Sequence, residues 1–284
     1  MTAVDFAYHR PTTTDETIHL LGDLAPNAVL LAGGGSLGIL LNERAVRPAN
    51  VIDLNEVDDL NGISVEGDGV WLGAMTRIYD VEASELLLER IPLLVECART
   101  IADPSLRHRV TVGGGLAYAD SSQSLPTALL VLDATVHIAG PSGEREVPID
   151  ELYVGGHQTS LSQDELITGV SIGVPRPGAG TAWLDLDRRQ LSYSLVSAAA
   201  LVVAADGDVE MARVAMAGIA PTPRRLRAVE RAVGSAEESA VRDAALHAVE
   251  DADPPEDLHA SADFRRRMAV EYSARAVLRA IERC

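Results

Sequence analysis

Leu30-Leu31-Ala32-Gly33-Gly34-Gly35-Ser36-Leu37-Gly38 is the stretch on which the fold turns. The apolar run Ala28 to Ala32 reads as a buried strand. It empties into three glycines and then Ser36, a good N-cap for the apolar helix expected next. Glycine allows positive φ and lets a ligand approach without a Cβ in the way. Successive amides in such a loop make a concave anion site, and a helix start behind it adds a favourable dipole. The stretch therefore predicts a phosphate-bearing cofactor across residues 32–38. A plain tight turn between strand and helix is the alternative.

Gly33, Gly35 and Gly38 also satisfy Gly-x-Gly-x-x-Gly, and Asp53 closes the next apolar run, Val51-Ile52-Asp53. That pattern suits a dinucleotide fold with Asp53 on a ribose hydroxyl. The segment between them carries Asn42-Glu43-Arg44 and then Arg47-Pro48, so the crossover helix has room for only about two turns. A dinucleotide crossover usually has more. Both readings stay open on spacing alone.

A second glycine triplet decides more. Asp103-Pro104-Ser105-Leu106-Arg107-His108-Arg109-Val110-Thr111-Val112 runs into Gly113-Gly114-Gly115, then Leu116-Ala117-Tyr118-Ala119-Asp120 and the polar run Ser121 to Ser124. Two such loops in one globular unit are hard to explain as routine turns. They suit one diphosphate held from opposite sides, the alternative being that one loop only packs.

The rest of the chain frames these loops. Thr13 and Glu16 form a capping box for a short helix. Residues 63–72 fold back around Gly67-Asp68-Gly69, and 135–147 around Gly140-Pro141-Ser142-Gly143, as hairpins. Helices are expected around Ile91 to Ile101 and Pro126 to Leu132, and a strand over Leu166 to Val174. Pro175-Arg176-Pro177-Gly178-Ala179-Gly180 is the best linker. Beyond it, Leu195 to Ala204 pairs with Val209 to Ala217 across Asp206-Gly207-Asp208. Helices follow, the first opened by Thr222-Pro223 and running through Val233.

Composition closes off several functions. A formal charge of −18 opposes nucleic-acid binding. No apolar run reaches membrane-span length. Met1-Thr2-Ala3-Val4-Asp5 does not read as a signal peptide, and Cys97 with Cys284 make no disulfide framework, so an intracellular, cytoplasmic protein is expected. Two cysteines cannot ligate an iron–sulfur cluster alone, and no His/Asp/Glu spacing suggests a metal. Every basic side chain of the Lys/Arg class is arginine. The clusters Arg224-Arg225, Arg227 and Arg265-Arg266-Arg267 suit either partner-facing patches or solvated helix faces.

Together these stretches resemble the FAD-binding medium subunit of the molybdenum hydroxylases, the xanthine dehydrogenase and aerobic carbon monoxide dehydrogenase family. The marks are Ala32-Gly33-Gly34-Gly35-Ser36-Leu37, Arg47-Pro48 before Val51-Ile52-Asp53-Leu54, Ile101 to Arg107 running into Thr111-Val112-Gly113-Gly114, and Ala117-Tyr118-Ala119-Asp120. Ala220-Pro221-Thr222-Pro223-Arg224-Arg225 and Ser261-Ala262-Asp263-Phe264-Arg265 complete them in order. The resemblance covers nearly the whole chain.

It implies an α+β fold: a two-lobed flavin-binding domain of the vanillyl-alcohol-oxidase type over residues 1–175, with lobes at about 1–55 and 56–175. A smaller α+β C-terminal domain, 176–284, would follow as a three-stranded antiparallel sheet plus a helical bundle. FAD is the implied cofactor. Residues 32–36, with Leu37, and 111–114, among them Thr111, Gly113 and Gly114, would hold its phosphates through backbone N–H groups. Ala117 would also line the site, Asp120 would accept hydrogen bonds from its ribose or ribityl region and Ser124 would meet one of its hydroxyls. Leu166 or Ile167 would pack near its ring system, and Tyr193 would approach from the second domain. Two positions depart from the family: Gly35 replaces a polar or amide residue, and Ser124 replaces an acid, which weakens one hydrogen bond.

The implied work is electron transfer, with the protein binding, orienting and tuning the cofactor. An iron–sulfur small subunit and a molybdopterin large subunit would be its partners, and a quinone, NAD or oxygen the external acceptor. No acid, base or nucleophile is nominated. A self-contained flavin or nicotinamide oxidoreductase and a flavin-free scaffold are the competing readings.

Overall fold

Residues 5–188 and 193–284 are described by a computed structural model. The first lobe is a parallel sheet of β1 (Ala7–His9), β2 (Ala28–Leu31) and β3 (Asn50–Asp53), with β3 central. The helix Thr14–Leu24 lies over it and buries Thr17 and Leu21. Its capping box forms with a shift: Thr13 Oγ1 accepts from Glu16 N at 3.1 Å, while Glu16 Oε2 accepts from Thr12 N at 2.8 Å. The helix joining β2 to β3 is only six residues, Leu37–Asn42, and buries none of them.

The second lobe is antiparallel, in the order β4-β5-β10-β6-β7. Its strands are β4 (Ile63–Glu66), β5 (Gly69–Gly73), β6 (Thr135–Gly140), β7 (Gly143–Pro148) and β10 (Leu166–Gly173), with a small ribbon of β8 (Tyr153–Gly155) and β9 (Gln158–Thr159) beside them. Both expected hairpins are present, with Gly67 and Gly143 taking positive φ at their turns. The central strand, β10, is the last to arrive in sequence and buries Leu166, Ile167, Val170 and Ile172.

A third sheet, β11 (Ala179–Asp187), β12 (Ser194–Ala205), β13 (Asp208–Ala217) and β14 (Arg224–Arg225), forms the C-terminal part. One face packs the alanine-rich row Ala182, Ala198 and Ala200 against Ala269, Ala276 and Ala280 of the long helix Ala262–Ile281. Small side chains bring that helix close: a Cβ on Gly180 would stand 1.9 Å from the Ala280 carbonyl oxygen. The other face sends Trp183, Ala199, Leu201 and Ala215 into the core of the second lobe. Between the sheets lies the helix Ser124–Val131, buried from Leu125 onward, as expected of a helix apolar on all sides.

The fourth strand is a departure. Thr222-Pro223 does not open a helix; Arg224 and Arg225 pair with Met216 and Ala215, and the helix begins at Arg227. Leu226 N donates to Val214 O at 2.7 Å, and Arg225 reaches Leu130 O at 3.0 Å and Asp133 at 2.6 Å. These long-range bonds outweigh the local start signal. The arginine clusters divide likewise: Arg225 and Arg265 are buried, whereas Arg224 and Arg227 are exposed.

Candidate functional site

The first glycine loop is held from behind. Asn55 donates from Nδ2 to the Ala32 carbonyl at 3.0 Å, and Arg77 of the second lobe donates to Asn55 Oδ1 at 2.6 Å. The glycines have distinct reasons. A Cβ on Gly33 would sit 1.5 Å from the Arg109 carbonyl oxygen, and Gly34 has φ +69°. Gly35 packs beneath Val110, where a Cβ would stand 3.0 Å from Cγ2. The two loops thus touch, Gly33 and Gly35 lying against the segment that leads into the second triplet. Ser36 occupies the N-cap position, yet its side chain makes no capping bond. Among the described residues, the amides of Gly33, Gly34, Gly35 and Ser36 meet no acceptor.

The second loop is built differently. Thr111 caps the helix Val112–Tyr118 by accepting from Gly114 N at 3.2 Å, and Gly115 N donates to Thr111 O. Gly113 N donates to Ala74 O at 2.8 Å, and a Cβ there would stand 2.6 Å from Ala74 Cβ. The amides at 113 and 114, expected as ligand donors, are therefore already engaged. Thr111 N is the amide of this loop without an acceptor among the described residues. Gly115 stands apart: a Cβ there would meet nothing within 4 Å.

The loops open onto one cavity of about 600 Å³, within the range of small-molecule and cofactor sites. Its wall includes Ala32, Gly33, Gly34, Gly35, Ser36 and Leu37, with Thr111, Gly113, Gly114, Ala117, Ser124, Leu166, Ile167 and Tyr193. Asp120 is the expected residue that this wall lacks. Its Oδ1 instead closes its own turn, accepting from Ser122 N at 2.8 Å and Ser122 Oγ at 2.6 Å, and it is Ser122 that reaches the cavity. Tyr193 is 69% exposed, and partial burial, then the nearby Asp120 and Tyr118, raise its pKa. Arg189 to Ser192, the stretch read as leading to Tyr193, lie outside the described residues.

Several wall residues were not anticipated. Gln123 Oε1 is buried without a hydrogen-bond partner, an acceptor waiting for a donor. Thr100, also on the wall, accepts from Trp183 Nε1 of the third sheet at 3.0 Å. Glu165 is locked by Arg145 at 2.7 and 2.8 Å; the Arg145 hydrogen bonds, together with Ser162 N, hold its carboxyl below the usual range against burial. The polarity of the Ser121–Ser124 run was visible in sequence; which of its atoms is orphaned was not.

Asp53 does not suit the dinucleotide reading. It is 7% exposed, and Tyr8 Oη and both Asn55 donors occupy its oxygens. Burial pushes its pKa up, but those hydrogen bonds outweigh it and the net shift is downward. Asp53 is also not on the cavity wall, so it does not present an oxygen to a ribose there. Unmet amides at one end, an orphan acceptor on the wall and an apolar slot between suit a long cofactor with a phosphate middle and a flat ring. Fold and cavity thus define a two-lobed flavin-nucleotide binder.

Comparison with known proteins makes that class specific. Residues 4–177 match the family model described as FAD binding domain in molybdopterin dehydrogenase, and residues 182–280 match CO dehydrogenase flavoprotein C-terminal domain. The carbon monoxide dehydrogenase medium chain of Hydrogenophaga pseudoflava is 35% identical, over 98% of each chain. A solved structure of that carbon monoxide dehydrogenase, lacking the Mo-pyranopterin moiety of its cofactor, superposes with a TM-score of 0.97 over 100% of both chains. Caffeine dehydrogenase subunit beta of a Pseudomonas species is 34% identical, over 98% of this chain and 95% of that one. The chain belongs to the FAD-binding medium subunits of the molybdenum hydroxylases, and is a dehydrogenase subunit with FAD as cofactor. Among the described residues, no helix is long and apolar enough to cross a membrane.

Proposed function

We propose that this subunit carries electrons from iron–sulfur clusters in a small partner subunit to an external acceptor, while a large molybdopterin subunit oxidises the substrate. FAD supplies the chemistry when bound, taking electrons singly and yielding them in pairs. The carrying observation is that the unmet amides of Gly33, Gly34, Gly35 and Ser36 and the unmet amide of Thr111 all belong to residues lining one cavity. These donors would hold the diphosphate. Gln123 Oε1 would accept from the cofactor, and Ser122 and Ser124 would meet its hydroxyls. Leu166 and Ile167 would flank the ring and exclude water, and Tyr193 would close the side facing the third sheet. Asp120 would act through Ser122 rather than by direct contact. Residues 1–175 would form the flavin domain and 176–284 the C-terminal domain.

The division of labour is tested by affinity purification of the tagged chain from its native cells. Two further subunits bearing iron and molybdenum should accompany it. A chain that purifies alone, carries FAD and oxidises a substrate unaided would favour the self-contained flavoenzyme.

A further inference from the structure

Beside the flavin cavity lies a second hollow of about 660 Å³ that shares Ser122, Tyr193 and Ser194 with it. Its other walls come from distant segments and mix Leu195 and Pro255 with Asp120, Arg188 just past β11, and Asp257, His259 and Arg265 around the start of the last helix.

The floor is firmly built. Arg265 is 4% exposed; its Nη1 donates to the carbonyls of Leu195 and Gly218, and its Nη2 donates to Asp257 at 2.7 Å. Its Nε is buried without an acceptor. Asp257 is committed, since it also accepts from the amides of His259 and Ala260 at 2.7 and 2.9 Å. Asp120 is committed to Ser122. Arg188 differs: it is exposed and donates to His259 Nδ1 at 3.0 Å, an uncharged acceptor. No carboxylate pairs with Arg188 among the described residues. Arg188 is thus the arginine of this hollow that makes no ion pair among the described residues, and it is the group there that a ligand's negative charge would meet.

We propose that this hollow seats the external electron acceptor, a redox molecule bearing an anionic group. The anion lies at Arg188, and the redox ring lies toward Ser122, Ser194 and Tyr193, where the two cavities meet. This rests on the FAD-subunit reading. For a sulfonated quinone the exchange balances as two electrons and two protons passing from reduced flavin to quinone, leaving oxidised flavin and a hydroquinone.

The test is calorimetric titration of the full-length, FAD-loaded chain with anthraquinone-2-sulfonate. The uncharged 2-(hydroxymethyl)anthraquinone serves as a control with the same ring. The sulfonate should bind saturably and about tenfold more tightly than the control. Arg188→Gln should erase that preference with FAD content unchanged, and Arg188→Lys should restore part of it. Absence of saturable binding, equal affinity in Arg188→Gln, or binding only to chain stripped of FAD would overturn the proposal. A chain that takes up no FAD is recognised from its spectrum before any quinone is added, and defeats the parent reading instead.

Discussion

Gly33 and Gly115 sit in the two triplets for different reasons, and substitution separates them. At Gly33 a Cβ would meet the Arg109 carbonyl, so Gly33→Ala should displace the loop, cost about 2–4 kcal/mol and abolish FAD uptake. At Gly115 the Cβ would face open space at the cavity wall. Gly115→Leu should melt at or slightly above the parent temperature, because leucine favours a helix by several tenths of a kcal/mol, yet bind FAD more than tenfold more weakly. Thermal melts with fluorescence titration of FAD check both; an unchanged FAD affinity in Gly115→Leu would show that this wall does not touch the cofactor. The sequence displays both triplets, but the atoms that make Gly33 obligatory belong to a segment far along the chain. Tyr8→Phe gives a pH signature. Asp53 has a depressed folded pKa, so its contribution is present above the ordinary carboxylate value and lost as pH falls through the folded value. The variant should cost up to about 1 kcal/mol at neutral pH, and the difference should shrink below about pH 4 in melts across that range.

At the scale of elements, the helix Ser124–Val131 and β14 hold the lobes and the C-terminal sheet together. Arg225 joins them, bonded to Leu130 O, Asp133 and Glu230, with only 6% of its side chain exposed. Arg225→Met should cost about 3–5 kcal/mol in urea unfolding, because Glu230 would remain buried with a weakened partner. Adding Glu230→Gln should recover part of that loss. Hairpins were legible in the sequence because alternation and turn glycines are local, as at Gly67 and Gly143. The start of the helix after Pro223 was not legible, because the strand conformation of Arg224–Arg225 depends on Met216, Ala215 and residues near 130. Ser36 shows the same limit: its type suits a cap, while its hydroxyl is left to the cavity.

At the scale of the molecule, one apolar core runs from Leu94 and Leu129 through Trp183 to Leu201 and Ala215, crossing the boundary between the two family matches. A fragment ending at residue 177 would expose that face, and should aggregate on expression rather than yield a folded flavin lobe. The order of loops and sheets was readable from glycine triplets and hairpins; of the linker read over Pro175–Gly180, Ala179 and Gly180 already belong to β11. The neighbouring polar hollow was not, because Arg188, His259 and Asp120 converge only in the folded chain. The most direct measurement is the absorption spectrum of the purified full-length chain, with the supernatant analysed for free FAD after denaturation. A flavin spectrum bleached by dithionite, with stoichiometric FAD released, is the expected result. A colourless chain that takes up no added FAD would contradict the assignment of the glycine-loop cavity to that cofactor.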